Sequence, residues 1–117
     1  MDRNKALYKL KGLPPIYYLN LDEQPERKEY MEEQFKYWEI ENYTRISAYD
    51  GRDGRDLGDI LKGRYPDMMS SGEVGCTTSH LRAMVEFLKT DAPCALMMED
   101  DCDISTASYW PFEWKNF

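Results

Sequence analysis

The chain has 117 residues, a mass of 13.8 kDa, 42% hydrophobic residues and a formal net charge of -7, which suits one globular domain or part of a larger one and excludes two. With 22 acidic residues against 15 basic ones and a pI near 4.7, a face that grips a nucleic-acid backbone through many phosphate contacts is hard to build, though a local basic cluster stays open. No apolar run approaches the roughly 18 to 20 residues of a membrane span, and the start MDRNKALYKLKGLPP has neither an apolar core nor a small-residue cleavage site, so neither a transmembrane segment nor a secretory signal is read.

Residues 1–13 read as a polar, basic leader, broken off by Gly12 and Pro14-Pro15. Ile16 to Leu21 is a short apolar, β-rich run, the pattern of a strand buried on both faces. Asp22 is placed to cap a helix from about Glu23 to Trp38. Pro25 falls in its first turn, where a missing N–H is harmless, and Tyr30, Met31, Phe35 and Trp38 recur at helical spacing. Tyr43 to Ala48 reads as a second strand running into a turn at Tyr49-Asp50-Gly51, where glycine accepts a positive φ. From Gly51 to Ser71, Gly, Pro and charged residues indicate a surface excursion, interrupted by a single helical turn at Leu57 to Leu61. A second helix begins at Ser71-Gly72-Glu73. Val74, Thr78, Leu81, Val85 and Leu88 mark its apolar face, and a neighbouring stripe of small residues, Gly72, Cys76, Ser79 and Ala83, permits close backbone approach. Cys94 to Met98 reads as a third strand that ends in Glu99-Asp100-Asp101-Cys102-Asp103, and residues 105–117 form an aromatic tail.

This βαβαβ order predicts an α/β fold: a Rossmann-like parallel sheet between helices in three α/β/α layers. Ligands of such sheets sit at the carboxyl ends of the strands. Here those ends are Asn20-Leu21-Asp22, Ala48-Tyr49-Asp50-Gly51 and Glu99-Asp100-Asp101, so carboxylates gather on one rim. Four carboxylates within five residues repel one another unless they are solvated or share a cation, and all-oxygen ligands suit Mg(II) or Mn(II) bridged to substrate phosphates. The plain alternative is an acidic turn facing solvent. Ser70 to Gly75, leading into a helix, offers unpaired N–H groups and the positive end of a helix dipole to a phosphate, but it is neither a Walker loop nor a GxGxxG fingerprint. A helix simply capped by Ser71 is the alternative there. His80, the single histidine, follows Ser79 directly, and adjacent helical residues point about 100° apart, so a Ser–His nucleophile pair is not formed. Arg27 lies near enough to the first strand end to pair with a diphosphate or with Asp22. Cys76, Cys94 and Cys102 are odd in number and not paired as CxxC; they read as reduced thiols of a cytosolic protein rather than a disulfide or zinc framework.

Four segments, PIYYLNLDEQPERKEYM, RISAYDGRD, SSGEVGCTTSHLRAM and ALMMEDDCDI, occur in the order and spacing of glycosyltransferase family 25, which the chain resembles from about Pro14 to Ile104. That family includes lipopolysaccharide-modifying transferases and collagen galactosyltransferases. The resemblance implies the nucleotide-sugar-binding amino-terminal half of a GT-A fold, with residues 14–104 as the donor-binding core and a further acceptor half beyond the aromatic tail. It implies that Glu99, Asp100 and Asp101 hold Mn(II) or Mg(II), that Asn20, Arg27, Asp50 and Gly51 line the nucleoside and diphosphate, and that Gly72, Glu73, Gly75, Ser79 and His80 lie beside the donor sugar. The implied partners are a UDP-hexose, most plausibly UDP-galactose, and a glycan or hydroxylated acceptor, with a cytoplasmic site of action in a bacterial or viral setting. No residue before Phe117 stands out as the general base that would take the acceptor proton. Two other classes stay open on the residues alone. One is a truncated, non-catalytic remnant that binds a nucleotide or a partner. The other is a magnesium-dependent phosphoryl-transfer or receiver-like domain, against which only Asp22 follows the first strand and no phosphate-pairing lysine is evident.

Overall fold

Ile16 to Asn20 are buried without a break, which puts this strand, β1, at the centre of the sheet in a computed structural model that describes residues 6–48 and 71–116. β1 (Ile16–Asn20) is flanked by β2 (Tyr43–Ser47) and β3 (Leu96–Glu99) in the order β2-β1-β3, and both pairings are parallel. The register sets Asn20 opposite Ser47 and Leu19 opposite Glu99, so the carboxyl ends of all three strands meet at one edge. The α/β reading is therefore right. The expected turn at Asp50-Gly51 and the helical turn at Leu57 to Leu61 lie outside the described residues.

Two helices, α1 (Pro25–Tyr37) and α2 (Ser71–Leu88), complete the layers. Because strand side chains alternate between faces, Ile16 and Tyr18 pack with Met31, Phe35 and Trp38 of the α1 layer, whereas Tyr17 and Leu19 pack with Ile46, Ala48 and Ala83 of the α2 layer. Phe35 stacks on Tyr43 at 4.4 Å and meets Tyr18 edge-on at 5.5 Å. The Tyr18 hydroxyl is buried beside Glu32 without a hydrogen bond of good geometry; burial, and then the Glu32 charge, hold its pKa above the usual tyrosine value. Residues 7–10 form a short 3-10 turn that sends Ala6 and Leu10 into the α1-side core, and Lys9 Nζ ties it to the carbonyls of Ser108 and Trp110 at 2.9 and 2.7 Å. Gly12, at φ 85°, turns the chain from there towards β1.

Several boundaries and faces differ from expectation. α1 starts at Pro25 with Gln24 at its N-cap position and no side-chain cap, because the Asp22 carboxylate accepts from Arg45 and Ser47 instead. Tyr30 is not a core residue; it is 42% exposed, while Met31 and Phe35 are fully buried. The helix closes with Ile40 N–H donating to the Phe35 carbonyl and Glu39 N–H to that of Lys36. This Schellman arrangement holds Glu39 at φ 57° where glycine is usual. β3 begins two residues later than read and includes Glu99.

The contact face of α2 is the largest revision. Val85 and Leu88 of the expected apolar face are exposed, whereas Gly75, Thr78, Ser79 and Ala83 are buried. The helix thus presents its small residues to the sheet, and Ser79 Oγ folds back to donate to the Gly75 carbonyl at 2.7 Å. Gly75→Val forces two extra methyls plus a Cβ into this contact and is expected to destabilise by about 1–3 kcal/mol. A lowered melting temperature is the check, and an unchanged one would put the small-residue stripe in solvent.

Candidate functional site at the carboxyl edge of the sheet

The strand alternation decides which side chains meet at the edge. Asn20 shares the face of Ile16 and Tyr18, Arg45 and Ser47 share that of Tyr43, and Asp100 follows Leu96 and Met98, so all four project to the α1 side. There they form one hydrogen-bonded chain. Asn20 Nδ2 donates to Asp100 Oδ2 at 2.9 Å and to the Gln24 carbonyl at 3.1 Å, while Asn20 Oδ1 accepts from Arg45 Nε at 2.9 Å. Arg45 Nη2 continues to the Asn20 carbonyl at 3.1 Å and to Asp22 Oδ1 at 2.6 Å, which also accepts from Ser47 Oγ at 2.9 Å. Arg27 of α1 closes the other end, with Nη1 3.3 Å from Asp100 Oδ1. Asn20 and Asp100 are buried, at 1% and 8% exposure, whereas the Arg27 side chain is 57% exposed. Arg27 therefore makes one long, solvent-screened contact that a stronger anion can displace. It reaches Asp100 and not Asp22, which Arg45 occupies.

The same alternation splits the acidic run. Glu99 follows Met97 to the α2 side, where Cys76 Sγ lies 3.5 Å from its Oε1 and 3.8 Å from His80 Nδ1. His80 Nδ1 is 2.9 Å from the Cys76 carbonyl oxygen. Burial first, then the hydrogen bond and charge of Glu99, push the Cys76 thiol up. These contacts also place the first turns of α2, with Glu73, Gly75, Ser79 and His80, at the same end of the sheet as the β3 terminus. Asp101 is exposed and makes no ion pair among the described residues. Glu99, Asp100 and Asp101 do not draw their oxygens within 4.8 Å of one another; among the described residues that spacing is met by Cys76, His80 and Glu99.

The turn after β3 is held in place by Gln34 of α1, whose Nε2 donates to the Cys102 carbonyl and whose Oε1 accepts from Ile104 N–H, both at 2.8 Å. Asp103 caps the following 3-10 turn (Ile104–Tyr109) through Ser105. The turn is strongly negative. Partial burial, followed by the charges around Asp103, Cys102 and Asp101, raises the pKa of Tyr30, and burial followed by Asp101 and Asp103 raises that of Cys102. Beside it opens a cavity of about 540 Å³, lined among others by His80, Glu99, Asp101, Trp110, Phe112 and Trp114. Trp110 and Phe112 stack on each other at 5.0 Å.

Of the residues expected at the site, Asn20, Arg27 and Asp100 are in direct contact, and His80 and Glu99 are grouped with Cys76. Gly72 lies in the first turn of α2, and Asp50 and Gly51 lie outside the described residues. The sequence reading did not single out Arg45, Ser47 or Gln34, although all three are structural partners of the site. An arginine in the middle of a short strand, at the parity of an inward tyrosine, was the available signal for Arg45.

A family model described as "Glycosyltransferase family 25 (LPS biosynthesis protein)" matches residues 13–109. The chain belongs to glycosyltransferase family 25. A protein of Drosophila pseudoobscura pseudoobscura named "Glycosyltransferase 25 family member" is 29% identical over 98 residues, which cover 76% of this chain and 16% of that protein. The chain thus spans less than a fifth of the length of this curated relative. No solved structure matches it with significance. The family-25 match runs from the residue before Pro14 to Tyr109 and so includes both halves of the polar edge, Asn20 to Arg45 and Cys76 to Asp103. Among the described residues no helix is long and apolar enough to cross a membrane.

Proposed function

We propose that the chain is the donor-binding part of a metal-dependent glycosyltransferase that moves a hexose, galactose foremost, from a UDP-sugar to a glycan or hydroxylated acceptor. The observation that carries the reading is the convergence of Asn20, Arg27 and Asp100 at the carboxyl edge of a parallel sheet, where nucleotide ligands of such folds bind. In this reading Asn20 and Arg45 fix the edge in one geometry, and exposed Arg27 turns from Asp100 to the diphosphate. Asp50 and Gly51, outside the described residues, are assigned to the nucleoside on the family resemblance alone. The first turns of α2 border the donor sugar through Gly72, Glu73 and His80, while Gly75 and buried Ser79 hold that helix start against the sheet.

The acidic turn fits Mn(II) or Mg(II). Its carboxylate donors are oxygen, Asp101 is exposed, and such ions need only one or two carboxylates beside substrate phosphates. Asp101, beside Asp100 at the strand end, would hold the ion, which when bound would stabilise the charge on the departing diphosphate as a Lewis acid. The cavity lined in part by Trp110 and Phe112 is of a size that receives a sugar ring. The three free cysteines accord with the reducing cytoplasm as the place of action. The acceptor and its general base are assigned to sequence of the kind that extends the longer relative.

Calorimetric titration of UDP into the folded chain, with and without Mn(II), tests this reading. Binding that requires the metal is expected. A chain that is folded by circular dichroism and takes up no UDP in either condition overturns it in favour of a non-catalytic remnant.

A further inference from the structure

We propose that Cys76, His80 and Glu99 form a three-ligand site for a borderline-soft divalent transition ion of the zinc class, separate in chemistry from the oxygen site at Asp101. Cys76 and His80 stand four residues apart on α2, so their side chains lie one above the other on the same helix face. Glu99 reaches them from the end of β3. The sulfur is 3.5 Å from the carboxylate oxygen and 3.8 Å from the ring nitrogen, and one ligand atom from each of the three residues falls within 4.8 Å of the others. With zinc–sulfur near 2.3 Å and zinc–nitrogen or zinc–oxygen near 2.0–2.1 Å, tetrahedral geometry separates sulfur from its neighbours by about 3.5 Å. The ligands already stand at close to that spacing before any ion is placed.

The donor set selects the ion. Thiolate and imidazole favour zinc or cobalt over manganese, magnesium and calcium, which favour oxygen alone. The two ends of the site are independently anchored: α2 by its buried small residues against the sheet, Glu99 by strand pairing opposite Leu19. His80 Nδ1, the ring nitrogen beside the sulfur, also lies 2.9 Å from the Cys76 carbonyl oxygen, a contact that an ion bound at Nδ1 replaces. Among the described residues three protein ligands converge, and His80 and Glu99 both line the 540 Å³ cavity. A fourth position, taken by water or by an oxygen of a bound molecule, therefore faces that cavity, as in zinc sites that keep an open coordination position. On binding, the thiol proton leaves to solvent and the ion takes its place.

The test is titration of the reduced full chain with Co(II), whose thiolate ligation gives a charge-transfer absorption in the near ultraviolet. One equivalent is expected to develop this band, Zn(II) to abolish it at stoichiometric amounts, and a hundredfold excess of Mg(II) to leave it. Cys76→Ser, at an exposed position that does not carry the fold, should remove the band, whereas Cys94→Ser and Cys102→Ser retain it. His80→Gln should keep the band but weaken the affinity by more than about tenfold. A band that survives Cys76→Ser, follows Cys94 or Cys102, or never forms in the wild-type chain overturns the proposal. No nucleotide enters the assay, so its outcome is distinguishable from that of UDP binding.

Discussion

Asn20→Ala is expected to be among the most destabilising single changes in the chain. The Asn20 side chain is 1% exposed and joins three elements: its amide donates to Asp100 and to the Gln24 carbonyl, and its oxygen accepts from Arg45. Truncation removes all three bonds and, among the described residues, leaves the buried Asp100 carboxylate with the long Arg27 contact alone. Buried groups that lose their partner cost about 1–3 kcal/mol each, which puts the change at about 3–4 kcal/mol in total. The melting temperature should fall by on the order of 10 °C. Asn20→Asp, equal in shape, is no rescue, because it sets a second carboxylate against Asp100. By contrast Lys28→Ala, which breaks an exposed i,i+4 pair with Glu32, should alter stability by less than about 1 kcal/mol. Chemical unfolding of the three variants is the measurement. An Asn20→Ala loss no larger than that of Lys28→Ala would mean that the polar edge is solvated and its bonds are exchanged with water.

The contrast between these positions shows what the sequence discloses. The order of apolar runs is enough to find three strands, two helices and a parallel sheet, because buried strands and helix spacing leave strong local patterns. The position of the edge also follows, since in a parallel sheet all carboxyl ends fall together. The side chain partners at the edge are less legible. Asp22 has the local form of a helix cap, yet a tertiary contact with Arg45 and Ser47 takes its carboxylate. On α2 the close-approach stripe is legible at Ser79 and Ala83, but hydrophobicity alone ranks Val85 and Leu88 above Gly75, while close helix–sheet approach selects for size. The acidic run was read as one cluster because its members are adjacent in sequence. Strand geometry sends neighbours to opposite faces, so Glu99 belongs with Cys76 and His80, and Asp100 with Asn20 and Arg27. That separation was available from the period of two alone, applied two residues beyond the apolar part of β3. The Cys76 contact was not, because it depends on how far α2 advances along the sheet.

Separation of the carboxylates makes their roles distinguishable by mutation. Asp101→Asn is expected to abolish metal-dependent UDP binding, with a loss of affinity of about a hundredfold or more, while the melting temperature stays within a degree or two of wild type. Asp101 is exposed and makes no ion pair among the described residues, so the amide costs the fold little; yet an amide is a neutral ligand, and hard divalent ions depend on carboxylate charge. Asp100→Asn has the opposite signature. Its two oxygens accept from Asn20 Nδ2 and Arg27 Nη1, and an amide must turn its own NH2 towards one of those donors, so stability falls by about 1–3 kcal/mol. Any UDP weakening then tracks the loss of the folded edge and is partly restored by lower temperature, whereas the Asp101→Asn defect is not. Calorimetry of UDP with Mn(II) at two temperatures, alongside thermal unfolding, separates the two. Unchanged UDP affinity in Asp101→Asn would show that the acidic turn holds no ion used by the donor. Equal melting temperatures for Asp100→Asn and wild type would show that Asn20 and Arg27 do not depend on that carboxylate to stay in place.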